Sequence, residues 1–107
     1  MREVMIVETR DAAEHRGPAR IAELAAGMHR EGIPATIFLT ENAVFAARRG
    51  SESTLDKAMS EGVTVAADSF ALKERAIAPG ELRKGIAIAD VDLIVDKLAG
   101  GTSVMWR

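Results

Sequence analysis

The sequence predicts an α/β fold: a single domain over residues 1–107, three layers deep (α/β/α), built on a mostly parallel sheet of about five strands. Three observations carry that expectation. Short apolar runs alternate with amphipathic stretches along the whole chain, the order of βαβ units. The runs "VMIV" and "VTVAA" are continuously apolar rather than alternating, as in strands buried on both faces. Glycines at 32, 50, 62 and 100 fall just past the amphipathic stretches, where helices stop. A chain of 107 residues has room for one core, and no internal repeat, low-complexity tract or linker divides it.

The elements follow in order. Val4–Val7 is the first strand, and the polar loop "ETRDAAEHRG" closes on Gly17. "PARIAELAAGMHREG" reads as a helix with Pro18 in its first turn, where a missing N–H costs nothing, and Gly32 past its end. Ile21, Leu24, Ala25 and Met28 fall on one face at helical spacing. Pro34 turns the chain into a second strand, Ala35–Leu39, and Thr40 or Asn42 offers a cap for the short helix "ENAVFAARR". "SESTLDKAMSEG" gives another short helix, with Ser53 and Asp56 in capping-box relation. Val63–Ala67 is the third strand, and "DSFALKERAI" continues from it as an amphipathic helix. "APGELRKG" holds a Pro-Gly turn or one helical turn, and Ile86–Ala89 is either a short strand or an apolar tether. "DVDLIVDKLAGG" is a helix capped by Asp90, with Val91, Ile94, Val95 and Leu98 as its stripe, and "TSVMW" makes the last strand.

Composition removes several classes of function. Fourteen basic against sixteen acidic residues leave a formal charge of −2, no electrostatic case for nucleic acid or an anionic membrane surface. Three Phe, one Trp and no Tyr make a base-stacking platform a poor fit. The absence of cysteine excludes disulfides, thiolate metal sites, thiol nucleophiles and persulfide carriage. No apolar run is long enough to cross a bilayer and no signal-peptide pattern opens the chain, so the expected compartment is the cytoplasm. The two histidines, His15 and His29, lack metal-ligand spacing, and neither a Gly-x-Gly-x-x-Gly nor a P-loop run occurs; no metal or cofactor is implied.

The carboxyl half resembles the DsrE/DsrF/DsrH-like family. There the third strand runs into a pattern of the kind Cys-x-x-Ser-Leu-x-x-Arg-Gly-Ile, and here Asp68, Ala71, Leu72, Arg75, Ala76 and Ile77 stand at the matching positions. The ending "APGELRKGIAIADVDLIVDKLAGGTSVMW" is similar in kind, as are "EVMIVET" and "HREGIPATIFLTENAV" in the amino half, so the resemblance covers essentially the whole chain. It implies homotrimers or homohexamers, or hetero-oligomers in which subunits lacking the working cysteine serve assembly. The family cysteine, which carries persulfide sulfur in the active relay members, falls on Asp68, and the glycine after the arginine is Ala76. A carboxylate cannot carry sulfane sulfur, so sulfur transfer does not come across with the resemblance.

Asp68 therefore has two readings. At the carboxyl end of a strand in an open α/β sheet, its carboxylate could bind a ligand or act as a general base. It could equally be a helix N-cap, because Asp and Ser oxygens accept from unpaired N–H groups at a helix start. Glu8, Thr9 and Arg10 follow the first strand and are expected to border the same crevice. With Asp68 and Ser69 they would offer both signs of charge to a small zwitterionic or anionic ligand; otherwise they are ordinary polar loop residues. Arg75 is the next ligand-binding candidate, as a substrate clamp or, more economically, in a structural ion pair with Asp68 or Glu74, and His15 is a conceivable acid or base. A phospho-acceptor receiver domain fits poorly, since Glu8 is followed by Thr9-Arg10-Asp11 rather than an acidic pair. Trp106 is either core or an interface contact. Two functions from different classes follow: a Cys-less binding or assembly subunit, and a small enzyme using Asp68 with Glu8 or His15.

Overall fold

Each apolar run becomes a strand of one sheet. The computed structural model describes residues 2–50 and 54–107, so the Ser53–Asp56 capping box lies outside the described residues. The strands are β1 (Val4–Glu8), β2 (Ala35–Leu39), β3 (Thr64–Asp68), β4 (Ala87–Ala89) and β5 (Ser103–Trp106). They lie in the order β4-β3-β2-β1-β5, and every neighbouring pair is parallel. The helices are α1 (Gly17–Arg30), α2 (Thr54–Ser60), α3 (Ser69–Glu74) and α4 (Asp92–Ala99). The expected fold class holds, and "mostly parallel" becomes wholly parallel because every connection is long enough to return the chain to the same end of the sheet. Of the segment 86–89, Ala87–Ala89 forms a strand, and Pro79–Glu81 is one 3-10 turn.

Topology decides which face each helix covers. The steps from β1 to β4 all travel one way across the sheet, and right-handed crossovers place their helices on one face. The step from β4 to β5 travels back, so the same handedness puts α4 alone on the opposite face. The pleat follows suit. Ile6, Ile37 and Val65 join the large core under α1, α2 and α3, while Met5, Val7, Phe38 and Ala66 meet Ile94 of α4. Eight residues make a helix about 12 Å long, whereas five strands span roughly 19 Å. Of the expected stripe on α4, only Ile94 is buried; Val91, Val95 and Leu98 are 58%, 60% and 56% exposed.

Two further expectations are corrected. On α1 the buried face is Ile21, Ala22, Ala25 and Ala26, with Leu24 exposed and Met28 half-buried, because α1 packs on α2 as well as on the sheet. The segment after β2 is a 3-10 helix, Glu41–Ala47. Its buried residues pair as Ala43 with Ala46 and Val44 with Ala47, the three-residue repeat that a 3-10 helix stacks. Arg83 was invisible as a structural residue in the sequence, yet it is buried. Its Nε donates to the Ala46 carbonyl at 2.8 Å and its Nη1 to Asp56 Oδ2 at 2.7 Å, tying the loop before β4 to two other elements.

All four helices close on one motif. The amide two residues past each helix cap donates back to the third-last helical carbonyl: Ile33 to Met28, Val63 to Ala58, Ile77 to Leu72 and Thr102 to Lys97. The residue between must be left-handed. Three of the four helices place glycine there, but α3 places Ala76, at φ +53°. Ala76→Gly is therefore expected to raise stability by about 0.5–1 kcal/mol, the Cβ strain relieved exceeding the entropy that glycine adds to the unfolded chain. Urea unfolding of the two proteins side by side checks this; a lower midpoint for the glycine variant would contradict it.

Candidate functional site

The candidate residues lie at the carboxyl ends of β1, β2 and β3, but the pleat divides them. β1 runs one residue further than expected, so Glu8 ends the strand on the Ile6 side, facing α1. β3 likewise runs through Asp68, which follows Ala66 on the α4 side. Glu8 and Asp68 thus leave opposite faces of the sheet and do not form one crevice.

On the α1 side, Glu8 is 1% exposed, and the hydrogen bonds it accepts come from its own loop. Oε2 accepts from the amides of Thr9 and Arg10 at 2.9 and 3.0 Å and from Arg10 Nε at 3.2 Å; Oε1 accepts from Arg10 Nη2 at 3.2 Å. The bidentate grip is the geometry a guanidinium makes with a carboxylate. The hydrogen bonds that Arg10 donates to Glu8, and then the Glu8 charge, raise Arg10 above the ordinary arginine value. The guanidinium also lies against Gly17 at the start of α1, where a Cβ would collide with it. The Thr9 hydroxyl donates to the Arg107 carbonyl at 2.7 Å, fastening the strand after its last paired residue.

On the α4 side, Asp68 is the N-cap of α3. Its Oδ1 accepts from the Phe70 amide at 3.2 Å, and its Oδ2 accepts from the Thr40 hydroxyl at 2.6 Å. Thr40 was expected to cap the next segment; instead its side chain crosses to β3 and leaves Glu41 to turn the chain at φ +50°. Asp68 is 4% exposed, with both oxygens engaged. Asn42, the other expected cap, accepts from Arg75 Nε and Nη2 at 3.2 and 3.0 Å. Arg75 also donates to the Ala71 carbonyl at 3.3 Å and stands 3.6 Å from Glu74, so its ion pair is with Glu74 and not with Asp68. Its guanidinium and that of Arg48 both approach the Phe45 ring, at 5.9 and 5.0 Å.

Ser69 opens α3 half-exposed, and its hydroxyl makes no hydrogen bond among the described residues. His15 lies in the exposed loop before α1 and its ring joins neither cluster. His29, near the end of α1, lies over Gly62. Among the described residues no group of three His, Cys, Asp or Glu side chains converges as metal ligands, and no helix is long and apolar enough to cross a membrane. A groove of about 350 Å³ opens on the α4 side towards the other end of the sheet, lined by Thr36, Thr64, Ala66, Ala87 and Leu93. The Thr40–Asp68 contact was missed by sequence reasoning because it joins residues 28 apart; the one available signal was that both follow an apolar strand by one step.

No family model and no curated protein matches the sequence. Solved structures do share the fold. The ychN protein from E. coli superposes with a TM-score of 0.89 at 18% identity, covering 100% of both chains. MTH1491 from Methanobacterium thermoautotrophicum, a protein of unknown function, gives 0.81 at 21% identity over 99% of this chain and 98% of its own. BT1422 from Bacteroides thetaiotaomicron, a conserved protein of unknown function, gives 0.75 at 16% identity over 98% and 94%. At these identities the likeness is one of fold.

Proposed function

We propose that this chain is a Cys-less relative of the sulfur-relay-type proteins it resembles, working in the cytoplasm as a binding or assembly subunit and not as a sulfurtransferase. The observation that carries this reading is the state of the charged candidates. Asp68 is spent on a cap and on Thr40, Glu8 on Arg10 and two amides, and Arg75 on Asn42 and Ala71. A general base needs a lone pair aimed at substrate, whereas the Asp68 and Glu8 oxygens are buried and turned to partners within the fold. A persulfide carrier needs a thiolate, and the chain has no cysteine. What the surface does offer is apolar: Phe70, Ile88, Val91, Val95, Leu98 and Trp106 are large and exposed. Four of them, Val91, Val95, Leu98 and Trp106, lie on the α4 side of the sheet towards its β5 edge, and exposed apolar patches of this kind mark contact surfaces.

Multi-angle light scattering at micromolar concentration tests the reading. The expected particle has three or six times the 11.4 kDa chain mass, as a homotrimer or homohexamer. Incubation with a desulfurase and a labelled sulfur donor is expected to leave the protein unlabelled. A monomer, or a stable covalent label, would overturn the reading. A second reading, small-ligand binding beside Asp68, has in its favour the Ser69 hydroxyl, which has no hydrogen bond among the described residues.

A further inference from the structure

Four of the exposed apolar side chains converge on one edge of the sheet. Ile94 points from α4 into the sheet, while Leu93 and Lys97 line the groove over β2, β3 and β4. At 3.6 residues per turn, Val91, Val95 and Leu98 occupy the opposite flank of α4, on its β5 side. Trp106 stands on the same face of β5, in register with Val7, and is 62% exposed. Asp92 and Asp96 lie on the outer side of α4, so this flank carries no charge of its own.

The edge strand beneath is unprotected. Ser103 and Arg107 donate their amides to β1, at the Glu3 and Val7 carbonyls, so the alternation of a parallel ladder turns the amides of Val104 and Trp106 outward. Edges are ordinarily guarded by proline, lysine or a bulge; "SVMW" has none of these. The four side chains expose roughly 400–500 Å² of mainly apolar surface, over half of the ~800 Å² per partner in a standard interface, and strand pairing would add the rest.

We infer that a second copy of this chain covers this edge, its β5 antiparallel to the first across a twofold axis, with the two α4 flanks closing over the seam. The geometry is self-complementary. A twofold centred on Met105 sets Val104 opposite the partner's Trp106, and the outward amide and carbonyl of each find their counterparts. Val91, Val95 and Leu98 then meet their own copies with no like charges brought together. The inference rests on the assembly reading above and specifies one of its contacts, the twofold that would pair two trimers into a hexamer or stand alone in a dimer.

Sedimentation velocity over a concentration series, with the full chain and its Val95→Glu and Trp106→Pro variants, tests the contact. Hydrogen exchange read at the amides of Val104 and Trp106 accompanies it. Val95 is exposed on α4, so Val95→Glu is expected to fold as the parent does by circular dichroism. Both variants should halve the particle, hexamer to trimer or dimer to monomer; both amides in Val95→Glu, and the Val104 amide in Trp106→Pro, which has no N–H at 106, should exchange at least about 100-fold faster than in the parent. A trimer untouched by either substitution would overturn the inference and leave the assembly reading standing. A parent that is monomeric throughout would overturn both. Halving with amides that exchange freely even in the intact parent would refute the strand pairing.

Discussion

Phe38→Ala is expected to lower the unfolding free energy by about 3–5 kcal/mol. Phe38 lies in β2, the middle strand, with no exposed surface, and it is the largest side chain in the small core between the sheet and α4. Its neighbours there are Met5, Val7, Ala66 and Ile94. Because α4 alone covers this face, no second helix can move in to fill the space the ring leaves. The loss therefore comprises the ring's transfer free energy together with a cavity term. For a domain near 100 residues, each kcal/mol moves the melting temperature by about 4–8 °C, so a fall of roughly 15 °C or more is expected. Thermal and urea unfolding check it. A loss under about 1 kcal/mol would mean that α4 does not pack on the ring as described.

Gly62→Ala is expected to cost about 2–4 kcal/mol, through two separable causes. The closing residue of α2 has φ +107°, well beyond the left-handed region a side chain tolerates, and such backbone strain costs about 1–3 kcal/mol. The His29 ring also lies where the new methyl group must go. A double-mutant cycle separates the two. His29→Ala should relieve the steric part and leave the backbone part, so the pair should be less destabilised than the sum of its members. Strict additivity would contradict the contact between ring and glycine.

The strands were legible in the sequence because a parallel sheet demands continuous apolar runs, and "VMIV", "ATIFL" and "VTVAA" could be little else. The ends of α1, α2 and α4 were legible for a local reason too, since glycine past an amphipathic run marks the left-handed closing residue; α3, which closes on Ala76, gave no such signal. What covers an apolar face was not legible. The stripe Val91, Ile94, Val95 and Leu98 shows that α4 is amphipathic, but only the reversed crossover reveals that α4 stands alone and leaves three of the four exposed. The grouping of Glu8 with Asp68 failed for a related reason. Each ends a strand as expected, yet one shares its parity with Ile6 and the other with Ala66, and parity acquires meaning only with the register between strands. Thr40 and Arg83 were missed because their partners are distant in sequence, at Asp68, Ala46 and Asp56.

A comparison of Asp68→Asn with Asp68→Ala tests most directly whether Asp68 is a structural residue. The amide oxygen of asparagine can accept from Phe70 as the carboxylate does, and its NH₂ can donate to the Thr40 hydroxyl, which rotates to accept. Asparagine also caps a helix about as well as aspartate. Alanine loses the cap, about 1 kcal/mol, and leaves the Thr40 hydroxyl without its partner, for a total of roughly 1–3 kcal/mol. Melting curves and particle mass should be recorded on the same samples at neutral pH. The expected result is an asparagine variant that melts within about 2 °C of the parent with its assembly unchanged, beside an alanine variant that melts several degrees lower. An asparagine variant clearly more stable than the parent would contradict the account, because removing a charge held in place for binding or catalysis commonly stabilises the protein that held it.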